Sequence, residues 1–433
     1  MKNSFFRRHE AHDVIPGGAH TYSKGDDQFP ANAPRFLERG DGAYVWDEQN
    51  RRYLDWNMGL RTMTLGYGNS VVNEAAKSQI DLGSNFSRPS RVEVDLARTL
   101  IDLIPCADMV KFAKNGSNVT TAALKLARAH TKRRYICYCQ DHPFYSFDDW
   151  FISTTEANAG VADGSKEISL PFDYDNLESL ENQFAKYPND IAAVILEPAT
   201  SSHPKSGFLE GLRKLCDRHG AVLIFDEMIT GFRWDLRGAQ HYYGVTPDLA
   251  TFGKGIANGF SVSALVGNKE IMERGGLFHD YERVFLMSTT HGAELHCLAA
   301  AAAAIQFMSD KNVTEHIWQI GETLIEILNQ TAFDAGVGQY VEFFGVPCSP
   351  YFTCRDEKGE ISMSWRTLFL QEMVKQGVFI NAIVPSFAHG QVEISQTVRA
   401  AEKAFSVYSK ALEEGIDRYL EGPSIKPVFR RHN

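Results

Sequence analysis

The sequence predicts an α/β protein: a layered central domain of parallel strands and helices, followed by a smaller α+β domain. Three observations carry this. Short runs that are mostly apolar recur through the middle of the chain, at Met109–Phe112, Tyr135–Cys139, Ala192–Leu196, Ala221–Phe225 and Leu249–Phe252. Between them lie stretches with helical spacing, Val92–Leu103, Val119–His130 and Leu209–His219. Runs that stay apolar instead of alternating mark strands covered on both faces, and amphipathic helices are what covers them. Finally, 433 residues with 44% hydrophobic and 23% charged side chains leave volume for two to four domains and exclude disorder, collagen and coiled coil.

Ahead of the layered domain, residues 35–56 read as an antiparallel meander with tight Gly and Asn turns. Behind it come a long helix from about residue 311, a mixed region, and a final helix near Val392–Tyr408. No repeat or low-complexity linker separates these parts, so the domains are expected to be closely packed or discontinuous in sequence.

With 44 Lys+Arg against 54 Asp+Glu, the net charge is −10, which gives no electrostatic pull toward nucleic acid or an anionic membrane. The N-terminal Met1–Glu10 carries charges at once and lacks a signal peptide's apolar stretch. The most apolar run, Leu298–Met308 with its six alanines, is far shorter than the ~20 residues a membrane span needs. Seven scattered cysteines fit reduced thiols in a cytoplasmic protein. No metal site is expected: Cys137-Tyr138-Cys139 has the wrong spacing for a zinc knuckle, and His9-Glu10-Ala11-His12 is one residue short of the zincin motif and reads as surface. A small-molecule enzyme is the class that survives.

Ligands of open α/β sheets sit at the carboxyl ends of strands. Asp226 and Glu227 follow the Ala221–Phe225 run, Gly253-Lys254-Gly255 follows Leu249–Phe252, Lys114–Asn118 follows Met109–Phe112, and Glu197-Pro198 follows Ala192–Leu196. Singly, each has a bland reading: a salt-bridge acid, a solvated lysine, a helix N-cap by Ser117 or Asn118. The pair says more. A lysine freed by flanking glycines, 28 residues after a strand-terminal aspartate, suits a Schiff-base cofactor whose ring nitrogen needs a carboxylate. Asn115-Gly116-Ser117 stands before a helix, where free N–H groups favour a phosphate. There is no P-loop motif, and Gly66-Tyr67-Gly68 lacks the third glycine of a dinucleotide fingerprint.

Phe225-Asp226-Glu227-Met228-Ile229-Thr230-Gly231-Phe232-Arg233 and Pro247–Lys254 resemble the cofactor motifs of class III (subgroup II) pyridoxal-phosphate aminotransferases. Ile15-Pro16-Gly17-Gly18, Gly207-Phe208-Leu209 and Ser386-Phe387-Ala388-His389 are similar to segments of the glutamate-1-semialdehyde 2,1-aminomutase branch, and the resemblance runs from about residue 14 to about 410.

The resemblance implies fold-type I: a mainly parallel seven-stranded sheet with helices on both faces, plus a smaller α+β domain. Residues 66–310 would form the large cofactor domain, and 1–65 with 311–433 the small one. It implies a homodimer and pyridoxal 5'-phosphate, held by Lys254 as an aldimine with Asp226 on the pyridine nitrogen. Asn115, Gly116 and Ser117 would cradle the phosphate, with Glu197 and Met228 as further cofactor contacts. Thr289 matches a threonine that reaches the neighbouring subunit's phosphate; as an N-cap before Ala293–Met308 it has a second reading. Phe144 matches the aromatic stacked on the ring, and a shift of one or two residues gives that role to His142 or Tyr145.

Departures from the family concern the substrate. Lys24 stands where the branch has an arginine that grips the substrate carboxylate, Arg61 where a small residue is expected, Asn118 where Glu is usual, and His291–His296 in place of Gly-Asn-Pro. Lys24, Arg61 and His291 are therefore the candidate substrate contacts, with Glu294 and His296 beside His291; the other reading of these last three is a helix-terminal surface or a dimer contact. The expected activity is transfer of an amino group from a small-molecule donor to an aldehyde or ketone through a pyridoxamine intermediate. The alternatives are an aminomutase, which needs no external donor, and a non-catalytic binding protein, which would need neither Lys254 nor Asp226.

Overall fold

The structure, a computed structural model, describes residues 10–292 and 294–432. Most of the N-terminal stretch read for a signal peptide, including His9, and Ala293 of the 291–296 segment lie outside the described residues. Strands β1 (Leu37–Asp41), β2 (Tyr44–Asp47) and β3 (Arg52–Asp55) come first. Seven more follow: β4 (Met109–Ala113), β5 (Tyr135–Cys139), β6 (Ser169–Phe172), β7 (Ile191–Leu196), β8 (Val222–Asp226), β9 (Leu249–Phe252) and β10 (Ser263–Gly267). The last are β11 (Val341–Val346), β12 (Ser349–Cys354) and β13 (Val378–Phe379). The chain divides into two compact units, Ser70–Thr314 on one hand, and the residues up to Asn69 with Glu315–Arg430 on the other.

Within Ser70–Thr314 the sheet runs β4-β10-β9-β8-β7-β5-β6. All neighbours are parallel except β10, which is antiparallel to both β4 and β9. β7, β8, β9 and β10 are buried at every position, as their apolar composition requires. Two strands have no clear sequence signature. β6 contains Pro171, whose missing N–H is tolerated because β6 is an edge strand. β10 is a short run with small residues at both ends.

The six alanines lie in the helix Leu295–Asp310, which packs on the helices Ser70–Leu82 and Arg91–Leu103 and on the turn Lys254–Ala257. Ala300, Ala301 and Ala304 are fully buried there. Their small side chains thus serve close packing inside this unit. The same packing backs the turn that carries Lys254.

The other unit has a four-stranded sheet, β1-β2-β3-β13, in which β13 pairs parallel with β3 and so joins distant parts of the chain, and a β11–β12 hairpin. Its core includes Leu54, Trp56, Leu324, Leu328, Phe343, Phe352, Phe369 and Phe405, each worth about 1.5–3 kcal/mol when fully buried. The final helix, Gln391–Glu414, is longer at its C-terminus than the sequence periodicity indicates.

Directly after β3 the backbone does something costly. Met58, Gly59, Leu60 and Arg61 all have positive φ, at 44°, 58°, 61° and 74°. This is one turn in the left-handed sense, at roughly 1–2 kcal/mol for each residue other than glycine. Its entry is pinned: Asp55 accepts hydrogen bonds from the Asn57 N–H (2.8 Å), the Asn57 amide (2.9 Å) and the Tyr67 hydroxyl (2.6 Å). Trp56 donates its N–H to the Phe379 carbonyl, accepts from the Val384 N–H, and stacks on His389 at 3.9 Å. No helix among the described residues is long and apolar enough to cross a membrane.

Candidate functional site

Five strand ends of the Ser70–Thr314 unit carry the chemistry. Asp226 closes β8 opposite Thr251 of β9. It is buried, and its Oδ1 accepts from the Met228 N–H at 3.0 Å and the Thr251 hydroxyl at 3.2 Å. Burial pushes its carboxyl up to about 6, although the nearby Lys254 charge and these two donors pull the other way. Such a group holds or releases a proton near neutrality.

Lys254 begins the turn after β9 with a φ of 44°, and it is half-buried. The glycine before it is needed for space: a Cβ on Gly253 would stand 2.6 Å from the Met228 sulfur. A Cβ on Gly116 would meet the same sulfur at 3.0 Å. The Met228 thioether thus lies against two backbones, one leading into the helix Gly116–Thr131 and one leading to Lys254.

That helix is capped by Asn115, whose side chain accepts from the Asn118 N–H at 3.1 Å. The cap is therefore neither Ser117 nor Asn118, and the helix starts before Val119. Ser117 sits buried in the first turn, with its Oγ accepting from the Phe147 N–H at 3.0 Å. A hydroxyl whose oxygen accepts still has its O–H to donate. Thr120 donates to the Tyr145 carbonyl at 3.0 Å, so the loop after β5 is strapped to this helix.

In that loop the buried rings are His142 and Tyr145, whereas Phe144 is 45% exposed and packs edge-on against Phe151 at 5.8 Å. The His142 Nδ1 accepts from the Glu197 N–H at 3.0 Å and lies 2.7 Å from the Tyr145 hydroxyl. Because a backbone N–H can only donate, the proton of the neutral ring is assigned to Nε2. Burial lowers the His142 pKa to about 3, so the ring stays neutral. Glu197 follows β7 and is buried; its charge and that of Asp226 both bear on the Tyr145 phenol, which burial already pushes up.

Glu227 carries more than the sequence reading gave it. Its fully buried carboxylate accepts from the Thr230 hydroxyl (2.7 Å), the Ala239 N–H (2.7 Å), the Gln240 N–H (3.0 Å) and the Gln240 amide (3.2 Å). It gathers in the segment 228–240 behind Asp226. A second acid directly after the strand-terminal one, with Thr three residues on, is the only local signal.

Thr289 is exposed, in a turn closed by the Gly292 N–H on its carbonyl at 3.3 Å. The next helix begins at Leu295 with Glu294 at its N-cap position, so the N-cap reading of Thr289 does not hold. His291 is exposed, 3.7 Å from Glu294, whose carboxylate also pairs with Lys114. Glu294, His296 and Cys297 bring one ligand atom each within 4.8 Å of one another, but Lys114 supplies the positive charge at that carboxylate. In the other unit, Lys24 is exposed at the end of a short turn, and Arg61 donates from Nη1 to the Ser349 hydroxyl at 2.7 Å.

A buried acid and a lysine on neighbouring strand ends, with a helix N-terminus in contact with both through Met228, fit a pyridine nitrogen, an aldehyde and a phosphate. On this seven-stranded sheet they define a fold-type I pyridoxal-phosphate-dependent transferase. The chain belongs to the class-III aminotransferases, whose family model matches residues 25–387. Pyridoxal 5'-phosphate is therefore its cofactor.

A glutamate-1-semialdehyde 2,1-aminomutase of Syntrophobacter fumaroxidans is 31% identical over 426 residues, covering 92% of this chain and 95% of that one. Among solved structures, the FumI protein of Sphingopyxis sp. MTA144, in its internal aldimine form, matches at a TM-score of 0.85 and 26% identity, covering 93% of this chain and 96% of that one. An omega-transaminase from Sphaerobacter thermophilus matches in fold at 0.83 and 24% identity, over 92% and 96%.

Proposed function

We propose that this aminotransferase moves an amino group from a small-molecule donor to an aldehyde or ketone acceptor, with Lys254 as the residue that bonds the cofactor and carries the proton. The single observation behind this is the pairing of a half-buried lysine with a buried carboxylate across β8 and β9. Bound pyridoxal phosphate supplies an aldehyde carbon for exchange with amines and a ring that takes up the electron pair of a broken Cα–H bond.

The protein's part follows from its residues. Asp226, at about 6 before any partner arrives, gains a cation to face and so keeps a proton on the ring nitrogen. Gly116 and Ser117 offer backbone N–H groups to the phosphate, Asn115 fixes the start of their helix, and the Ser117 O–H adds a donor. Met228 and the loop bearing Phe144, His142 and Tyr145 flank the ring, and Glu197 holds His142 in one tautomer. The Lys254 amine, once displaced by the donor, is tethered beside the carbon it deprotonates and the carbon it reprotonates. Lys24, Arg61 and His291 are assigned to the substrate. We also propose a homodimer in which the exposed Thr289 completes the partner's phosphate site. A reducing compartment such as the cytoplasm suits seven buried free thiols.

A second reading, aminomutase, is favoured by the name of the Syntrophobacter relative. Against it stands Lys24, a point charge without the planar fork that grips a carboxylate through two half-reactions. Two assays test the proposal. Borohydride reduction followed by peptide mapping recovers the cofactor on Lys254; recovery on another lysine refutes the assignment. Glutamate-1-semialdehyde is a poor substrate without an added donor, and its efficient conversion to 5-aminolevulinate would establish the aminomutase instead.

A further inference from the structure

Glu294, His296 and Cys297, all in the Ser70–Thr314 unit, are the one group of metal-ligating side chains that gathers among the described residues, with ligand atoms within 4.8 Å of one another. They stand at the N-cap position and in the first turn of the helix Leu295–Asp310. The backbone there is held: the Leu295 N–H donates to the Ser84 carbonyl at 2.9 Å and the Cys297 N–H to the Glu294 carbonyl at 3.0 Å. Spacing hides the group, since its members fall within the four residues Glu294-Leu295-His296-Cys297 and match no familiar metal motif.

Each side chain is suited to an ion. The His296 Nδ1 is shut off from water and has no hydrogen-bond partner among the described residues. Buried polar atoms in that state are rare, and a bound ion nearby is one of the things that accounts for them. Cys297 is buried beside the carboxylate of Glu294. That carboxylate already attracts a cation: its Oε2 pairs with the Lys114 ammonium, and its Oε1 lies 3.7 Å from the His291 Nδ1. Lys114 and Glu294 both keep part of their side chains in water, so their pairing is weak enough for a divalent ion to displace it. Ion–ligand distances of about 2.0–2.3 Å put tetrahedral ligand atoms roughly 3.3–3.8 Å apart, which a small rotation of the released Glu294 side chain reaches. Thiolate and imidazole select zinc-class ions, whereas magnesium and calcium take oxygen ligands throughout. We propose that Glu294, His296 and Cys297 bind one zinc-class divalent ion, with water as the fourth ligand and Lys114 holding the carboxylate until the ion arrives. Binding then exchanges the link from the end of β4 to this helix for a clamp within the helix's own first turn.

Calorimetric titration of the chelator-treated, full-length holoenzyme with ZnCl₂ tests the site. One Zn²⁺ per chain is expected to bind, with Cys297→Ser and His296→Ala each weakening it about tenfold or more at unchanged cofactor absorbance. Lys114→Met removes the competing ammonium and tightens binding about threefold or more, an effect that a scattered surface histidine site would not show. CdCl₂ gives the ultraviolet charge-transfer band of a cadmium–thiolate bond in the wild type and not in Cys297→Ser. No Zn²⁺ binding, equal affinity in the wild type and Cys297→Ser, or no tightening in Lys114→Met overturns the site. Equal competition by MgCl₂ overturns the assignment to a zinc-class ion. Should Cys297→Ser fail to fold, the wild-type cadmium band and its loss in His296→Ala decide, and its absence from the wild type refutes coordination by Cys297.

Discussion

The strand-end cluster around Asp226 and the turn around Arg61 both hold conformations that folding alone would not choose, yet they do so at different levels of structure. At the strand ends the backbone is ordinary parallel sheet up to Asp226, with Lys254 beyond β9 at positive φ, and the larger cost lies in side chains: Asp226 and Glu227 are carboxyls taken out of water. At the turn the acid that pins the entry, Asp55, is buried as well, but a second cost lies in the backbone, with three L residues in a row of four at positive φ. A rigid sheet can keep acids buried because its amides and hydroxyls are fixed where the acids need them. A turn beyond the end of a strand has no such lattice and must be pinned by bonds from several segments. The lesson is that chemistry built on side-chain environment is held by the sheet, and geometry built on backbone strain is held by surrounding hydrogen bonds.

Breaking the first region has the larger effect. Asp226→Ala is expected to bind pyridoxal phosphate but to lose about 10²–10³-fold in exchange of the donor Cα hydrogen, measured by loss of deuterium, because the ring is no longer kept protonated. Exchange at the wild-type rate would remove Asp226 from the mechanism. The stability of the protein without cofactor sharpens the point. Because the folded-state value of Asp226 lies above the ordinary 3.8, its contribution is fully present below that pH and is lost as pH rises through about 6. It amounts to about 3 kcal/mol at most. His142, lowered to about 3, runs the other way, with stability lost as pH falls below its ordinary 6.5. The difference between wild-type and Asp226→Asn unfolding curves from pH 4 to 7 therefore isolates Asp226.

Next in size is Gly253→Ala, whose new methyl would stand 2.6 Å from the Met228 sulfur. Overpacking of this kind costs about 1–3 kcal/mol. Since the obstacle is one side chain, Met228→Ala in the same chain should restore part of the loss, and a coupling near zero in the double-mutant cycle would disprove the contact.

The turn gives the smallest effect. Gly59 has a φ of +58°, and a Cβ there would meet the Thr62 hydroxyl at 2.9 Å and Met63 Cγ at 3.1 Å. Gly59→Ala should lower stability by about 1–2 kcal/mol in chemical denaturation, while leaving borohydride labelling of Lys254 intact. Unaltered stability would mean that the turn relaxes to a right-handed form and is not pinned as described.

By itself the sequence determined the layered sheet, because strands buried on both faces must be apolar throughout, and it marked Asp226 and Lys254, because a charge ending such a strand stands out against that background. It determined the meander and the long C-terminal helices for the same reason of periodicity. Tertiary structure decided the rest. β6 and β10 exist because neighbouring strands offer them partners, the cap of the phosphate-facing helix is Asn115 because its backbone is extended there, and Glu227 gains its role from amides that lie 12 and 13 residues on in the chain. Arg61 could be noticed in the sequence only as an unexpected residue. Its left-handed backbone is imposed by the nearby Asp55 and Tyr67 together with the bonds of Trp56 to Phe379 and Val384, more than 300 positions away, which no local pattern encodes.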